Sequence, residues 1–512
     1  MNRKKSYLII AIIGIIWMVY LGMNKYGYHQ DEVFSYLLAN NAFEGTKFTG
    51  EIGWHTPDYY LNMVTVSTEE SLNVKSVISN QINDVHPPLY YLVLHFVSWL
   101  FKGIFSKWIG LSINIVFTLI VTFLIYEVSL LFVKNNTVPL VLALFYLLSN
   151  GGASNYLFIR MYLMLTIFTV LLTYQLIKLL KDGWSSKHLK LYSLALILGG
   201  LTHYYFYIYA FFLTLFSCIY LLIGREIKKT LIFGLSALGS VLATFAIYPW
   251  VIEHVFNSGR GEGVLEGFTS SFLDIGNIKA FIKLVSQQLF GGLLFLCLFL
   301  IIIGILGSMF NKKDEIKTIL ASKRTKIYFV ILSATVLTLY VVAQVSPYKE
   351  GRYMYAIYPI LVLVILLPIY ILMSLWVVEK QAKQLFVVFA SIITLLGFNR
   401  FSPEHIFTYM EENQNYLNEL GIENALIISE SPYKEAAQIH ELQQFDNIYR
   451  LFDFDLSQLP EDETLSNEPM VVYIDSRKID SDEFREQLKE QYTRNDFQFL
   501  YRHIYHNVYV VY

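Results

Sequence analysis

Long apolar blocks recur along the first 400 residues and limit the possible folds more than any other feature of the sequence. Most of them are roughly 17 to 30 residues long, and short polar stretches separate them. A helix needs about 20 apolar residues to cross the hydrocarbon core of a bilayer, where every backbone N–H and C=O must be paired within the segment. The pattern therefore predicts a polytopic α-helical membrane protein with roughly ten to thirteen spanning helices.

The first block runs from Tyr7 to Met23 behind a basic start, and Lys25 ends it. No small-residue cleavage pattern follows, so we interpret this block as an uncleaved first span. A later block, at 189–222, is long enough for a helical hairpin. The blocks after the first lie at 87–101, 108–133, 137–151, 156–180, 189–222, 229–250, 278–309, 326–346, 353–377 and 384–399.

The charged connectors between the blocks predict an orientation in the membrane. The positive-inside rule places basic connectors in the cytoplasm, together with the N-terminus. These connectors lie at 178–190, 225–229, 312–326 and 380–383. The segments expected outside are 24–85, 251–277, 347–352 and the C-terminal tail.

The region between His86 and Arg160 conflicts with this orientation. Both residues are placed outside, which requires an even number of crossings, yet three apolar blocks separate them. We therefore expect one of the blocks 108–133 and 137–151 to be broken or re-entrant.

The composition supports a membrane protein and excludes several other classes. Only 16% of the residues are charged, against about 25% in soluble proteins, and 55% are hydrophobic. With a formal net charge of −2 and no basic tract, we expect no nucleic-acid partner. The two cysteines, Cys218 and Cys297, lie inside apolar blocks and form no CxxC pair, so neither a disulfide framework nor a cysteine metal site is predicted.

Residues 401–512 have the composition of a soluble domain, and short β-type runs alternate there with helical patterns. This alternation predicts a small extracytoplasmic α/β domain. The runs and patterns are Ala425–Ser429, Pro469–Ile474 and Val508–Tyr512, and Tyr433–Gln443 and Asp482–Gln491. No Gly-rich phosphate loop follows the runs, which favours a supporting or acceptor-binding role over dinucleotide binding.

Residues 1–400 then form the transmembrane domain, including the outer loop 24–85, which has expected surface helices near Asp31–Asn41 and Thr68–Gln81. Asp31 and Glu32 open the first of these helices, just beyond the first span. A carboxylate held at the interface could act as a general base toward a bound substrate. The alternative is that acidic residues in a first helical turn only complement the helix dipole.

Asp84 and His86 form a second polar site, at the start of the next apolar block. Pro87 and Pro88 suit the start of a helix, where the first amides need no intrahelical partner. The prolines do not explain the ionisable residues beside them, and His86 could bond a phosphate or a hydroxyl group.

Three further ionisable residues, Arg160, His203 and Arg352, lie at the edges of apolar blocks. Such groups are costly at membrane depth unless they are paired or functional. The two arginines fall on the predicted outer side, and guanidinium groups bind phosphate through planar, paired hydrogen bonds. Two roles are therefore possible for each arginine: it binds a phosphate, or its side chain extends along the lipid so that its charge reaches the headgroups (snorkelling). For His203, a satisfied interior histidine stays open as well.

A divalent metal is left open, and no cofactor is predicted. Several oxygen and nitrogen ligands belong to one outer segment and could converge on Mg²⁺, Mn²⁺ or Zn²⁺. They are Asp31, Glu32, His55, Asp84 and His86. No ligand spacing such as HExxH is present.

Taken in order, these motifs resemble those of the polyprenyl-phosphate-dependent glycosyltransferases of the GT-C fold, especially the protein O-mannosyltransferase and aminoarabinose-transferase-like group. The resemblance covers roughly residues 1–400, whereas residues 401–512 have no counterpart in it. The matching elements are Asp31-Glu32, His86-Pro87-Pro88-Leu89, Arg160-Met161-Tyr162 and Arg352-Tyr353.

The resemblance implies an inverting transfer of a sugar from a polyprenyl-phosphate donor, held among the spans and membrane lipids, to a hydroxyl of an envelope glycan, lipid or protein. Asp31 matches the catalytic base, and Glu32 would position the acceptor or orient Asp31. The residues expected to bind the donor phosphate are Arg160, Arg352, His86 and His203. The residues expected to shape the acceptor side are Asp84, Tyr162 and Tyr353.

Two other classes of function are weighed against this one. A transporter or flippase of a lipid-linked substrate usually shows internal repeats and broken spans near the midplane. The sequence shows no half-to-half repeat, and its polar residues gather near the predicted outer face. A non-catalytic scaffold of the cell envelope is the other alternative. A scaffold would not need the ordered set of acidic, His-Pro-Pro-Leu and Arg-Tyr motifs, so their presence argues against it.

Overall fold

The computed structural model describes residues 2–41, 52–69, 71–257, 274–452, 454–476, 481–492 and 497–512, so the middle of the expected loop 251–277 lies outside the described residues. The chain divides into two compact units. The first, the helical unit, comprises Met1–Gly22, Val85–Tyr90 and Leu111–Glu404. The second, the α/β unit, comprises Met23–Asp84, Tyr91–Gly110 and His405–Tyr512.

The helices and strands follow one another in three stretches of the chain. The first stretch holds α1 (Arg3–Met23), α2 (Gln30–Asn40), β1 (Gly53–His55), α3 (Pro57–Val64), α4 (Val74–Asn83) and α5 (Leu89–Leu100). The second holds α6 (Lys107–Leu130), α7 (Thr137–Leu148), α8 (Asn150–Leu157), α9 (Tyr162–Lys181), α10 (Ser186–Gly200), α11 (Phe206–Ile223), α12 (Ile227–Ile247), α13 (Val251–Phe256), α14 (Ile275–Phe290), α15 (Leu294–Asn311), α16 (Lys313–Ala321), α17 (Lys323–Val345), α18 (Tyr358–Trp376) and α19 (Glu379–Arg400). The third holds α20 (Thr408–Leu420), β2 (Asn424–Ser429), α21 (Pro432–Ala436), α22 (Ile439–Leu442), β3 (Asn447–Phe452), α23 (Glu463–Asn467), β4 (Met470–Asp475), α24 (Ser481–Tyr492), β5 (Gln498–His503) and β6 (His506–Val511).

Nine of the described helices are long and apolar enough to cross a bilayer, and the bent pair α7 and α8 would make a tenth. The nine are α1, α6, α9, α11, α12, α15, α17, α18 with the turn before it, and α19. The predicted multi-pass α-helical membrane protein is confirmed, with a count at the lower end of the expected range. The hairpin expected at 189–222 is present as α10 and α11.

The apolar block at 278–309 forms two helices, because α14 ends at Phe290 and α15 begins at Leu294. Gly291 between them has a φ of +58°, a left-handed conformation that glycine adopts at little cost. A Cβ atom there would also lie 2.8 Å from the backbone nitrogen of Gly397 in α19. The break therefore coincides with a close approach of two backbones, which hydropathy along the chain does not reveal.

The block at 87–101 explains the odd number of blocks between His86 and Arg160. Helix α5 has 12 residues and is about 18 Å long, whereas the hydrocarbon core is about 30 Å thick. Residues 91–110 also belong to the α/β unit, where Gly103 N–H donates to Val66 O at 2.9 Å. Two candidate crossings then separate His86 from Arg160, namely α6 and the pair α7 and α8.

The break expected in one of two blocks is present in the second of them. The axes of α7 and α8 differ by 57°, and the bend falls at Ser149, whose Oγ accepts the N–H of Gly152 at 3.0 Å. The block 108–133, by contrast, forms the continuous helix α6. The conflict in the predicted orientation arose because an apolar block was counted as a span although its helix is too short.

The α/β unit contains one six-stranded sheet in the order β1-β3-β2-β4-β6-β5. Strands β3, β2 and β4 are parallel, whereas β1, β6 and β5 pair antiparallel with their neighbours. Every residue of β2 and of β4 is buried, as expected for parallel strands that are covered on both faces. The expected strands in the C-terminal region are present as β2, β4 and β6, and the small α/β fold is confirmed.

The loop that follows α1 and the C-terminal region share this sheet, which the sequence did not suggest. Strand β1 lies in the loop, and its Trp54 pairs with Tyr449 of β3. The Trp54 indole N–H also donates to Asp462 Oδ2 at 2.9 Å. Arg450 in turn donates to Tyr59 OH at 3.1 Å. The loop 24–84 therefore groups with residues 405–512, although the sequence placed it with the transmembrane domain.

Candidate active site

Four basic side chains, predicted separately from the sequence, converge in the helical unit. We call them the basic cluster: His86 precedes α5, Arg160 lies between α8 and α9, His203 lies between α10 and α11, and Arg352 precedes α18. Arg160, His203 and Arg352 are 5%, 8% and 9% exposed, so most of their surface is removed from water. Four separate connections of the fold thus bring positive charge to one place.

The contacts within the basic cluster are short. Arg160 Nη2 lies 3.4 Å from His86 Nε2, and the rings of His86 and His203 are 6.0 Å apart between centroids. The ring of Tyr162 lies 5.5 Å from that of His203. Asn114 holds the backbone before Arg160, because its side-chain amide donates to Tyr156 O at 2.7 Å.

The surroundings of His203 disfavour the charged form of its ring. Burial lowers its pKa well below the ordinary value, and the positive charges of His86, Arg160 and Arg352 lower it further. Its Nδ1 accepts the backbone N–H of Tyr205 at 3.0 Å, so the proton of the neutral ring resides on Nε2. His203 can therefore donate one hydrogen bond to an anion through Nε2.

Arg352 is held between aromatic rings and a carboxylate. Its guanidinium carbon lies 5.3 Å from the ring centre of Tyr353 and 5.9 Å from that of Tyr348. Its Nε lies 2.8 Å from Glu350 Oε2, and the Glu350 side chain is 46% exposed. The Tyr353 ring packs against that of Tyr205, with centroids 5.8 Å apart.

Glu404, at the end of the helical unit, is a candidate that the sequence analysis missed. Its carboxylate accepts hydrogen bonds from Tyr355 OH and Gln288 Nε2, each at 2.5 Å. Burial raises the pKa of Glu404, and the hydrogen bonds and the charge of Arg352 oppose that rise. It lies just beyond α19, where the sequence already has a soluble composition, so no local pattern marks it.

The helical unit therefore contains a site suited to an anion with several oxygen atoms. Two arginines and a histidine donor can satisfy a phosphate from different directions, and guanidinium groups match phosphate geometry. Removal of water strengthens each of these bonds. The cost of burying such charges is large unless an anion accompanies them.

Asp31 and Glu32 lie in the α/β unit and have different environments. His29 caps α2, because its Nδ1 accepts the N–H of Asp31 at 3.1 Å. Glu32 Oε2 accepts the N–H of His29 at 2.6 Å and a bond from Lys25 Nζ at 2.9 Å. The Glu32 side chain is fully buried, whereas that of Asp31 is 21% exposed. Asp31 is thus the more exposed of the two carboxylates, and Glu32 holds the turn that carries it.

Residues after 404 support the turn that carries Asp31. Lys25 Nζ donates to His405 O at 3.0 Å and lies 4.8 Å from the ring centre of Phe407. The ring of Tyr28 contacts that of His440 edge-on, with centroids 5.5 Å apart. A Cβ atom at Gly27 would lie 2.1 Å from Met410 Sδ, so a larger residue there would require the Met410 side chain to move.

Asp84 and the other candidate metal ligands form no metal centre in the described part of the chain. Asp84 ends α4, and its backbone N–H donates to Asn80 O at 3.1 Å. In the part of the chain that the structure describes, no three His, Cys, Asp or Glu side chains group closely enough to hold a metal ion. The convergence of Asp31, Glu32, His55, Asp84 and His86 on one ion therefore has no support.

Comparisons with known proteins agree with this architecture. No family model and no curated protein matches the chain. The solved structure of ArnT from Cupriavidus metallidurans in the apo state matches 100% of this chain and 98% of its own, with a TM-score of 0.55 and 9% identity. The same protein bound to undecaprenyl phosphate matches with a TM-score of 0.54 and 8% identity over 99% and 98% of the two chains.

A weaker likeness is found to the oligosaccharyltransferase AglB from Archaeoglobus fulgidus. That structure, in complex with an inhibitory peptide and a dolichol-phosphate, covers 96% of this chain and 68% of its own, with a TM-score of 0.47 and 12% identity.

The likeness to ArnT extends over both units, including the C-terminal region for which the motifs suggested no counterpart. The expected GT-C-like membrane fold with a small C-terminal α/β region is confirmed.

Proposed function

We propose that this protein is an inverting glycosyltransferase that moves a sugar from a polyprenyl-phosphate donor to an acceptor hydroxyl at the outer face of the cell membrane. The observation that carries the proposal is the convergence of His86, Arg160, His203 and Arg352 among apolar spans. The fold supports it, because ArnT shares this architecture and has been solved with undecaprenyl phosphate.

In the proposed reaction, Asp31 takes the proton of the acceptor hydroxyl, whose oxygen attacks the anomeric carbon. The bond between that carbon and the phosphate oxygen breaks, and polyprenyl phosphate leaves with inverted configuration at the sugar. Arg160 and Arg352 stabilise the charge that develops on the leaving phosphate, and His203 donates a further bond. Glu32 acts by orienting Asp31.

The remaining assignments complete the proposal. Tyr162 and Tyr353 line the basic cluster, and Asp84 is assigned to the acceptor side. The acceptor is a hydroxyl of an envelope glycan, a lipid or a protein, and the transferred group is a hexose or a pentose. The N-terminus lies in the cytoplasm and the C-terminal region outside, following the basic connectors.

The Arg160→Ala variant tests the phosphate site. We expect it to bind polyprenyl phosphate about 10- to 100-fold more weakly than wild type, because a charge-assisted hydrogen bond is worth about 1.5–3 kcal/mol. Binding is measured by intrinsic fluorescence or by competition with a labelled lipid in nanodiscs. The matched control is Lys349→Ala, which removes an exposed positive charge close in sequence to Arg352.

Each outcome of this experiment decides between functions. Weak binding by Arg160→Ala with normal binding by Lys349→Ala supports a dedicated phosphate site. Equal binding by all three proteins shows that the basic cluster does not hold the lipid phosphate. If wild type carries lipid-linked sugars across vesicle membranes without cleaving them, the flippase alternative replaces the transferase.

Glu350 should compete with the donor phosphate for Arg352. Because Glu350 Oε2 lies 2.8 Å from Arg352 Nε, we expect Glu350→Gln to bind polyprenyl phosphate about two- to fivefold more tightly, the range of a partly exposed ion pair. The same binding assay measures it. Glu379→Gln, which removes a carboxylate paired with Lys383, is the control and should leave the affinity unchanged. Unchanged or weaker binding by Glu350→Gln would contradict the competition.

A further inference from the structure

Glu404 is held by three separate elements of the helical unit. Gln288 of α14 donates to one carboxylate oxygen, and Tyr355 donates to the other. The Glu404 backbone N–H donates to Ser154 Oγ of α8 at 2.9 Å. Tyr358 orients Gln288 in turn, because its OH donates to Gln288 Oε1 at 3.1 Å. The carboxylate therefore has a fixed plane and position.

This carboxylate lies beside the basic cluster. The ring of Tyr355 contacts that of Tyr162 edge-on, with centroids 6.3 Å apart, and Tyr162 contacts His203. The charges of Arg352 and Glu350 both act on Glu404, which places it within electrostatic range of Arg352. One side of the cluster is therefore bordered by tyrosine rings and a negative charge.

The side of the basic cluster that is lined by tyrosine rings and Glu404 suits a sugar and not a second phosphate. A carboxylate repels phosphate but accepts hydrogen bonds from hydroxyl groups, and such charge-assisted bonds are about twice as strong as neutral ones. Tyrosine rings offer apolar faces to the carbon skeleton of a sugar and hydroxyl groups to its oxygens. In a polyprenyl-phosphate sugar, the sugar is joined directly to the phosphate and must lie against the groups next to it.

We infer that Glu404, oriented by Gln288 and Tyr355, forms the subsite for the donor sugar and accepts hydrogen bonds from its hydroxyl groups. This inference rests on the proposed function, because it takes the basic cluster as the phosphate site. Glu404 then distinguishes the sugar-bearing donor from polyprenyl phosphate, which presents no hydroxyl groups of a sugar. The structure thus divides the donor site into a phosphate half and a sugar half.

The test compares two ligands on the full-length protein in nanodiscs: polyprenyl phosphate, and a panel of polyprenyl-phosphate hexoses and pentoses. We expect Glu404→Gln to bind polyprenyl phosphate within about twofold of wild type. It should bind the preferred sugar-bearing donor at least about tenfold more weakly, as the loss of one charge-assisted hydrogen bond requires. The control is Glu379→Gln, which removes an exposed carboxylate of the helical unit that is paired with Lys383 and has no contact with the basic cluster.

The outcomes separate this inference from the proposed function. If Glu404→Gln loses affinity equally for both ligands, Glu404 only holds the helices together. If it loses affinity for neither ligand, Glu404 does not contact the sugar. Both results overturn the inference, and neither contradicts the proposed phosphate site. If wild type binds neither ligand, the proposed function fails and the subsite fails with it. If Glu379→Gln reproduces the selective loss of affinity, the effect does not depend on the position of Glu404 and the inference is also overturned.

Discussion

Asp31→Asn should lower the rate of sugar transfer by about 10²- to 10⁴-fold, the contribution of a well-placed general base, while donor binding stays at the wild-type level. The amide has nearly the same shape as the carboxylate but cannot accept a proton. The structure supports a selective effect, because the partly exposed Asp31 side chain is distinct from the fully buried Glu32 beside it. Release of polyprenyl phosphate from a sugar-bearing donor measures the rate.

The matched control for Asp31→Asn is Asp58→Asn, which removes an exposed carboxylate from the first turn of α3 in the same loop. This control should transfer sugar at the wild-type rate. Equal activity of Asp31→Asn and wild type would assign the base to another residue. A parallel loss of donor binding would show that the substitution disturbs the fold and not the chemistry.

Lys25→Met should destabilise the protein by about 3–5 kcal/mol, because it leaves the Glu32 carboxylate buried without its partner charge. Both side chains are fully buried, and their charged atoms are 2.9 Å apart. Burial lowers the pKa of Lys25, and the charge and the hydrogen bond of Glu32 oppose that shift. Thermal unfolding in detergent, with and without urea, measures the loss.

The double variant Lys25→Met/Glu32→Gln provides the decisive comparison for this pair. With both charges removed, most of the stability should return, because replacing a buried ion pair with uncharged groups is often nearly neutral. A double variant that is as unstable as the sum of the two single variants would contradict the predicted coupling. Activity should return only in part, since a glutamine at this position accepts the N–H of His29 through a neutral amide oxygen, and that bond is weaker than the charge-assisted bond to Glu32.

The C-terminal region contacts the segment that carries Asp31. Its residues Phe407, Met410 and His440 contact the part of the chain that begins at Lys25. Strand β1 of the loop also completes the sheet at β3. These contacts hold the turn on which Asp31 lies, and the supporting or acceptor-binding role expected of this region stays a prediction.

Some features of this protein follow from its sequence alone. The membrane-spanning helices are determined by local sequence, because an apolar run of sufficient length has few stable conformations other than a membrane helix. Arg160, His203 and Arg352 stand out because charge next to apolar blocks is costly, and His86 because two prolines mark a helix start beside it. These residues were identified one at a time, from neighbours within a few positions along the chain.

Only the tertiary structure decided how these parts combine. The block at 87–101 was counted as a span because hydropathy does not show where a helix ends, and α5 stops after 12 residues. The three residues of β1 have no pattern of their own and become a strand only by pairing with Tyr449 and its neighbours, about 400 positions away. Glu32 and Glu404 gain their roles from burial and from partners on other elements, which local spacing does not encode. Hydropathy and motifs depend on sequence neighbours, whereas sheet order, buried charge pairs and the convergence of the basic cluster depend on contacts between distant segments.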